Sequence, residues 1–172
     1  MPASKLNHSF DRTSNKSLTH WESCVPLLQR VWREHAHDGV ELMVDKHGGR
    51  ARYALLLAEL FTDAEVETVK ETAVISEYWV IAPPAPPLVG RRMHVRIRER
   101  AEQSSFATAL ASCLAKYTRE ICMHAFNAYF QALEPELRPT AGYTTDARRW
   151  LTDAAPALAR SGLAMDVVVR KR

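Results

Sequence analysis

An α/β fold is what this sequence predicts, and three stretches predict it. Val40-Glu-Leu-Met-Val-Asp45 is a short apolar run closed by Lys46-His47-Gly48-Gly49-Arg50, and a helical pattern follows from Arg52 to Leu60. Strand, glycine turn and helix make a β-α unit. Arg92 to Arg98 alternates, with Met93, Val95 and Ile97 on one face and Arg92, His94, Arg96 and Arg98 on the other, as a half-buried strand does. From about Ser104 to Ala132 apolar residues recur at helical spacing through Leu110, Leu114, Tyr117, Ile121 and Phe126.

Composition sets the outer limits. With 172 residues, 47% of them hydrophobic and 25% charged, the chain has ordinary globular proportions and the length of one domain. No run reaches the roughly 18 apolar residues a membrane span needs, and the N-terminus shows no apolar signal segment. No membrane partner is expected. Cys24, Cys113 and Cys122 are odd in number and lack any CxxC spacing. They read as thiols in a reducing cytoplasm, which is the expected location, and not as disulfides or a zinc site. A net charge of +3 is mild, so where the charge sits matters more than its sum.

Taken in order, residues 1–17 are rich in Ser, Asn and Lys and are expected to be a disordered N-terminal segment, with a single domain over residues 18–172. Thr19-His-Trp-Glu22 has the form of a capping box, so a helix is expected from near His20. Its apolar positions are Trp21, Val25, Leu28, Val31 and Trp32. Pro26 either kinks that helix or belongs to its first turn. A stop follows at His37-Asp38-Gly39. After the β-α unit, Glu65 to Lys70 and Val74 to Ala82 read as strands. Pro83 to Pro87 is a stiff extended connector. Past the long helix, Glu134-Pro135 is a stop and Arg138 to Tyr143 a loop. Thr145-Asp146 caps a short helix to about Ala159, and Leu163 to Arg172 is open between helix and strand.

Several residue types in these places could carry chemistry. Asp45 closes a strand, and ligands of open α/β sheets bind at the carboxyl ends of strands; it could equally be a turn residue or a helix cap. The Arg92–Arg98 face, four basic positions without an acid, suits either a phosphate backbone or water. His35, His37, Asp45 and His47 could form a transition-metal cluster only if chain segments on both sides of the strand converged. Gly-x-Ser-x-Gly, Walker and dinucleotide motifs are not present, which leaves nucleophilic hydrolase, nucleotidase and Rossmann readings without support.

The stretch Ala109-Leu-Ala-Ser-Cys-Leu-Ala-Lys-Tyr-Thr-Arg119 followed by Glu120 resembles the signature helix of ribonuclease HII, the type 2 ribonuclease H family, whose pattern is roughly Ser-Ala-Ala-Ser-Ile-Leu-Ala-Lys-Val-Thr-Arg-Asp. Ser112, Leu114, Ala115, Lys116, Thr118 and Arg119 match it. Gly142-Tyr143-Thr144-Thr145 resembles the family's Gly-Tyr-x-Thr element, and Val44-Asp45 the strand end that delivers a catalytic aspartate. Glu102, fourteen residues before Lys116, stands where the family has another catalytic acid. The resemblance spans about Val40 to Leu158. The family's opening Asp-Glu-x-Gly-Arg-Gly strand has no counterpart, since residues 1–39 hold no Asp-Glu pair and no glycine before Gly39.

The resemblance implies a ribonuclease H-like α/β fold, a mixed sheet flanked by helices and truncated at its N-terminus, and metal-dependent endonucleolytic cleavage of the RNA strand of RNA–DNA hybrids, impaired by loss of that acidic element. It implies Asp45 and Glu102 as catalytic and metal-binding carboxylates for Mg²⁺ or Mn²⁺, hard ions that prefer oxygen ligands. Tyr143 and Gly142 would meet the ribose, and Lys116, Arg119, Arg96 and Arg98 the phosphates. The partners implied are an RNA–DNA hybrid and a complementing N-terminal fragment. A non-catalytic nucleic-acid-binding module derived from the family is the alternative.

Overall fold

The computed structural model describes residues 3–171. Over them the chain forms α1 (Ala3–Thr13), α2 (Lys16–His35), β1 (Val40–Asp45), α3 (Ala54–Leu60), β2 (Glu65–Glu71), β3 (Ile75–Ile81) and β4 (Arg92–Arg98). A 3₁₀ turn (Ala101–Gln103), α4 (Phe106–Leu133), α5 (Thr144–Asp153), α6 (Ala155–Ser161) and α7 (Met165–Val168) complete it. The architecture is α/β, a four-stranded mixed sheet with flanking helices, in the order β1-β4-β3-β2. The described residues fall into two compact units, one of residues 8–110 and one of residues 3–7 with 111–171.

The first unit is built on the sheet. β1 pairs with β4 in parallel, from Val40↔Met93 to Asp45↔Arg98, while β3 is antiparallel to both β4 and β2. β2 therefore runs parallel to β1 but lies at the opposite edge. Alternation puts Met93, Val95 and Ile97 of β4 beside Tyr78 and Val80 of β3 on one buried face. Trp21, Leu28 and Trp32 of α2 and Leu57 of α3 pack in the same cluster. Positions 21, 28 and 32 share one side of a helix, so a single stripe of α2 seals much of this core. Truncating any of these large side chains removes about 2–5 kcal/mol.

Helix α2 starts a turn earlier than the capping box suggests. Asn15 is its cap, accepting the N–H groups of Ser17 and Leu18 at 2.9 and 3.2 Å, and Thr19 is buried inside the helix. Pro26 lies within the helix and not in its first turn. At the other end Arg91 donates from Nη1 to the carbonyls of Trp32 and Arg33 at 2.7 and 2.8 Å, which satisfies groups the last helical turn leaves open.

The expected disordered segment is a helix over residues 3–13, and its first two residues, Met1 and Pro2, lie outside the described residues, as does Arg172. Two sets of contacts hold α1. Ser9 and Arg12 both bond to Glu22, each at 2.6 Å. In the second unit the buried Asn7 donates to the carbonyls of Asp166 and Val169 and accepts from the N–H of Lys171. That unit's core is Phe130, Leu137, Trp150, Ala154 and Ala157. The single short helix expected before Ala159 is two, α5 and α6, and the described part of the C-terminal stretch contains helix α7. Among the described residues no helix is long and apolar enough to cross a membrane.

Candidate functional site

Asp45 and the turn that carries Glu102 lie at one end of the sheet. β1 and β4 run the same way, so their carboxyl ends lie side by side, with Asp45 in register with Arg98 and Lys46 N–H bonded to the Arg98 carbonyl at 3.1 Å. Beyond β4, Arg100 takes a left-handed backbone (φ 53°), uncommon for a residue with a side chain. This sharp reversal sends the chain into the 3₁₀ turn. Ala101 is fully buried there, and its N–H reaches Asp45 Oδ1 at 3.4 Å. Glu102 follows directly and is exposed, as Asp45 is. The turn that carries Glu102 is thus tied to the end of β1 through the Asp45 side chain, which accepts the Ala101 N–H.

Cations surround this end. Lys46, whose side chain is only 7% exposed, donates to the Ala73 carbonyl and sits 3.3 Å from Glu99. Arg98 is half-buried beside Asp45, and its Nε has no hydrogen-bond partner among the described residues. Lys46 was not nominated from sequence; its position one residue past Asp45 was the available signal.

The middle two of the four basic positions on β4, His94 and Arg96, are engaged within the sheet. His94 stacks on Trp79, with ring centroids 4.3 Å apart. Its Nδ1 lies 3.5 Å from Glu41, and its Nε2 lies 2.7 Å from Glu77 but out of line for a hydrogen bond. Arg96 pairs with Glu41. The strand itself has no acid, but β1 and β3 supply them from both sides, so Arg96 is engaged within the sheet. The transition-metal grouping does not form either. His35 and His37 are exposed, whereas His47 is buried with Nε2 3.4 Å from Cys24 Sγ. No three His, Cys, Asp or Glu side chains group to hold a metal among the described residues. Burial holds the His47 imidazole below its usual range and pushes the Cys24 thiol up, so the pair is neutral thiol and neutral imidazole, not an activated nucleophile.

The loop after Asp45 is tied into the core by a chain of bonds. The His47 N–H donates to Tyr53 Oη at 3.2 Å, the Tyr53 N–H donates to Tyr78 Oη at 2.9 Å, and the Tyr78 hydroxyl donates to Glu71 at 2.5 Å. Burial first, then this bond to a carboxylate, drives the Tyr78 phenol far above its ordinary range.

The other nominated residues lie in the second unit. The Arg119 guanidinium sits 4.5 Å from the centre of the Tyr143 ring, a cation–π arrangement. It also donates to the Ala141 carbonyl and, at 2.9 Å, to Glu120. Gly142 has φ 73°, a left-handed backbone that favours glycine, while a Cβ there would meet the side-chain ends of Arg119 and Met123 at 3.4 Å, an ordinary contact. Tyr143 is 66% exposed. Lys116 is exposed and makes no ion pair among the described residues. A shallow cleft of about 570 Å³ lies beside this loop, between Ile121, Met123 and His124 of α4 and Pro139 and Thr140.

Six of the nominated residues fall into two groups, and Arg96 and Lys116 belong to neither. Asp45 and Glu102, with Arg98, share the sheet end, and Gly142 and Tyr143 with Arg119 share the loop beside α4. Compared with family models, curated proteins and solved structures, the chain finds no match in any of the three.

Proposed function

We propose that this chain is a ribonuclease H-like protein of the ribonuclease HII type, acting on RNA–DNA hybrids by metal-dependent cleavage of the RNA strand. The observation that carries the reading is the pairing of Asp45 with the Ala101–Glu102 turn at the carboxyl ends of two adjacent parallel strands. Asp45 and Glu102 are 57 positions apart by the numbering, and the bond from Ala101 to Asp45 ties the turn before Glu102 to the end of β1.

The donor set fits a hard divalent ion. Two exposed carboxylates offer oxygen ligands and leave room for water, the coordination Mg²⁺ or Mn²⁺ prefers. When bound, such an ion would supply charge neutralisation at a phosphodiester and a more acidic water. The protein's own contribution is positional. The Asp45 carboxylate accepts the Ala101 N–H, the loop behind it is fixed by the Tyr53–Tyr78–Glu71 chain, and Arg98 of β4 stands in register with it. In the other group Tyr143 presents a ring to a sugar, where the 2′-hydroxyl separates RNA from DNA. Arg119 and Lys116 favour phosphates.

A second reading is a non-catalytic nucleic-acid-binding or interaction module derived from that family, which the engagement of Asp45 by the Ala101 N–H suits as a structural bond. A labelled RNA–DNA hybrid incubated with the chain and Mg²⁺ or Mn²⁺ separates the two. Cleavage that is lost in Asp45→Asn and Glu102→Gln supports the enzyme. Binding without cleavage supports the module, and neither sinks both.

A further inference from the structure

In the second unit, the stretch from Pro139 to Gly142 forms no helix or strand, yet side chains take each of its backbone groups from the Pro139 carbonyl to the Gly142 N–H. Arg149 Nη2 donates to the Pro139 carbonyl at 2.9 Å. Asn127 accepts the Thr140 N–H and donates to the Thr140 carbonyl, both at 2.9 Å. Asp146 Oδ2 accepts the Ala141 N–H at 2.7 Å, and Arg119 donates to the Ala141 carbonyl. Thr140 Oγ1 accepts the Gly142 N–H at 2.9 Å while its own hydrogen goes to Asp146 at 2.6 Å. The other oxygen of Asp146 takes Arg149 Nη2 at 2.7 Å and Nε at 3.2 Å.

Exposed loops are ordinarily the mobile parts of a fold. One whose backbone is wholly engaged from α4 and α5 is held in a single shape, and such networks are worth most when every member is satisfied. What this loop presents is Tyr143. One side of its environment is taken by the Arg119 guanidinium and most of the ring is open to solvent. We infer that Asp146 and Asn127 are positioning residues that fix the 139–142 loop, so that Tyr143 is a preset stacking platform for a sugar or base of a nucleic-acid strand. The role of Tyr143 itself rests on the function proposed above; the clamp and its two hub residues are the addition. A preset platform binds more tightly because less ordering remains to be done on binding.

Charge makes the test discriminating. Asp146→Asn removes a negative charge from a phosphate-binding surface, so electrostatics alone predict tighter binding, whereas a lost clamp predicts weaker. Hybrid affinity is measured by anisotropy for the full chain, Asp146→Asn, Asn127→Ala, Tyr143→Ala and the Asp146→Asn/Tyr143→Ala double variant. Amide exchange is followed at Ala141 and Gly142, and melting confirms that each variant is folded. The expected result is about tenfold weaker binding in each loop variant, no further loss in the double variant, and faster exchange at both amides. Asp146→Asn binding as tightly as the parent or tighter, or losses that multiply in the double variant, would overturn the inference. A parent chain that binds no hybrid overturns the proposed function and the substrate half of this inference with it. The amides then decide the clamp, and unchanged exchange in Asp146→Asn refutes it.

Discussion

Tyr78→Phe removes one oxygen and should cost far more than a surface substitution. The ring stays and the packing with it, so the loss is confined to two bonds. The Tyr53 N–H, buried and bonded to Tyr78 Oη at 2.9 Å, would be left without an acceptor, at about 1–3 kcal/mol for an unsatisfied buried donor. The bond to the Glu71 carboxylate at 2.5 Å also goes. Bonds to charged groups contribute about 1.5–3 kcal/mol, and Glu71, with 22% of its side chain exposed, recovers part of that from water. The sum is about 2–4 kcal/mol, a large share of the roughly 5–15 kcal/mol that holds a domain together. Tyr53→Phe loses only the longer bond from the His47 N–H and should cost about 1 kcal/mol. Guanidinium unfolding followed by tryptophan fluorescence reads both, because Trp21 lies 6.0 Å from the Tyr53 ring in the same core. A Tyr78→Phe midpoint shift equivalent to less than about 0.5 kcal/mol, the range of ordinary surface changes, would refute the reasoning.

Other consequences can be checked separately. Arg91→Ala should destabilise the first unit by about 1–2 kcal/mol by releasing the last carbonyls of α2, measured by the same unfolding curve. Arg91→Lys should recover part of the loss, since both bonds come from the single nitrogen Nη1 and an ammonium can also donate to two carbonyls. Thr140, then Arg149 and the Ala141 N–H, hold the Asp146 carboxyl down at about 2. Its contribution to the loop is present above the ordinary aspartate value of about 4 and is lost as pH falls toward the lowered one; a carboxyl NMR titration with its midpoint at 4 or higher contradicts this. Burial, aided by His20 and Arg50, holds His47 below the usual range. Stability from its neutral form is therefore present above pH about 6.5 and declines as pH drops below it. His47→Gln should flatten the urea midpoint between neutral and mildly acid pH, and an unchanged slope would show that His47 is not the titrating group.

Short-range patterns carried the sheet well. The apolar run at 40–45 and the alternation at 92–98 mark β1 and β4 at their observed limits, and the stripe from Leu110 to Phe126 marks α4. The Asp45 strand end was legible because a strand must stop where the glycine turn begins. Long-range partners were not. Helix α1 is held by Asn7 bonding to the backbone of residues 166–171, which no local composition reveals. The β4 face looks purely cationic until β1 and β3 bring Glu41 and Glu77 alongside, and strand order depends on pairings that periodicity does not encode. Arg119 and Tyr143 could be named singly, but their stacking depends on the loop closing back on α4. The Asp146 clamp appeared in the sequence only as a helix cap.

A titration of Mn²⁺ by calorimetry, on the parent chain, Asp45→Asn, Glu102→Gln and the double variant, asks whether the two carboxylates are one site. If they are, the parent binds an ion that each single variant loses, and the double variant loses nothing more, since removing either ligand already breaks the pair. Mn²⁺ binding that survives Asp45→Asn or Glu102→Gln undiminished would separate the two acids and leave the sheet end without a metal role.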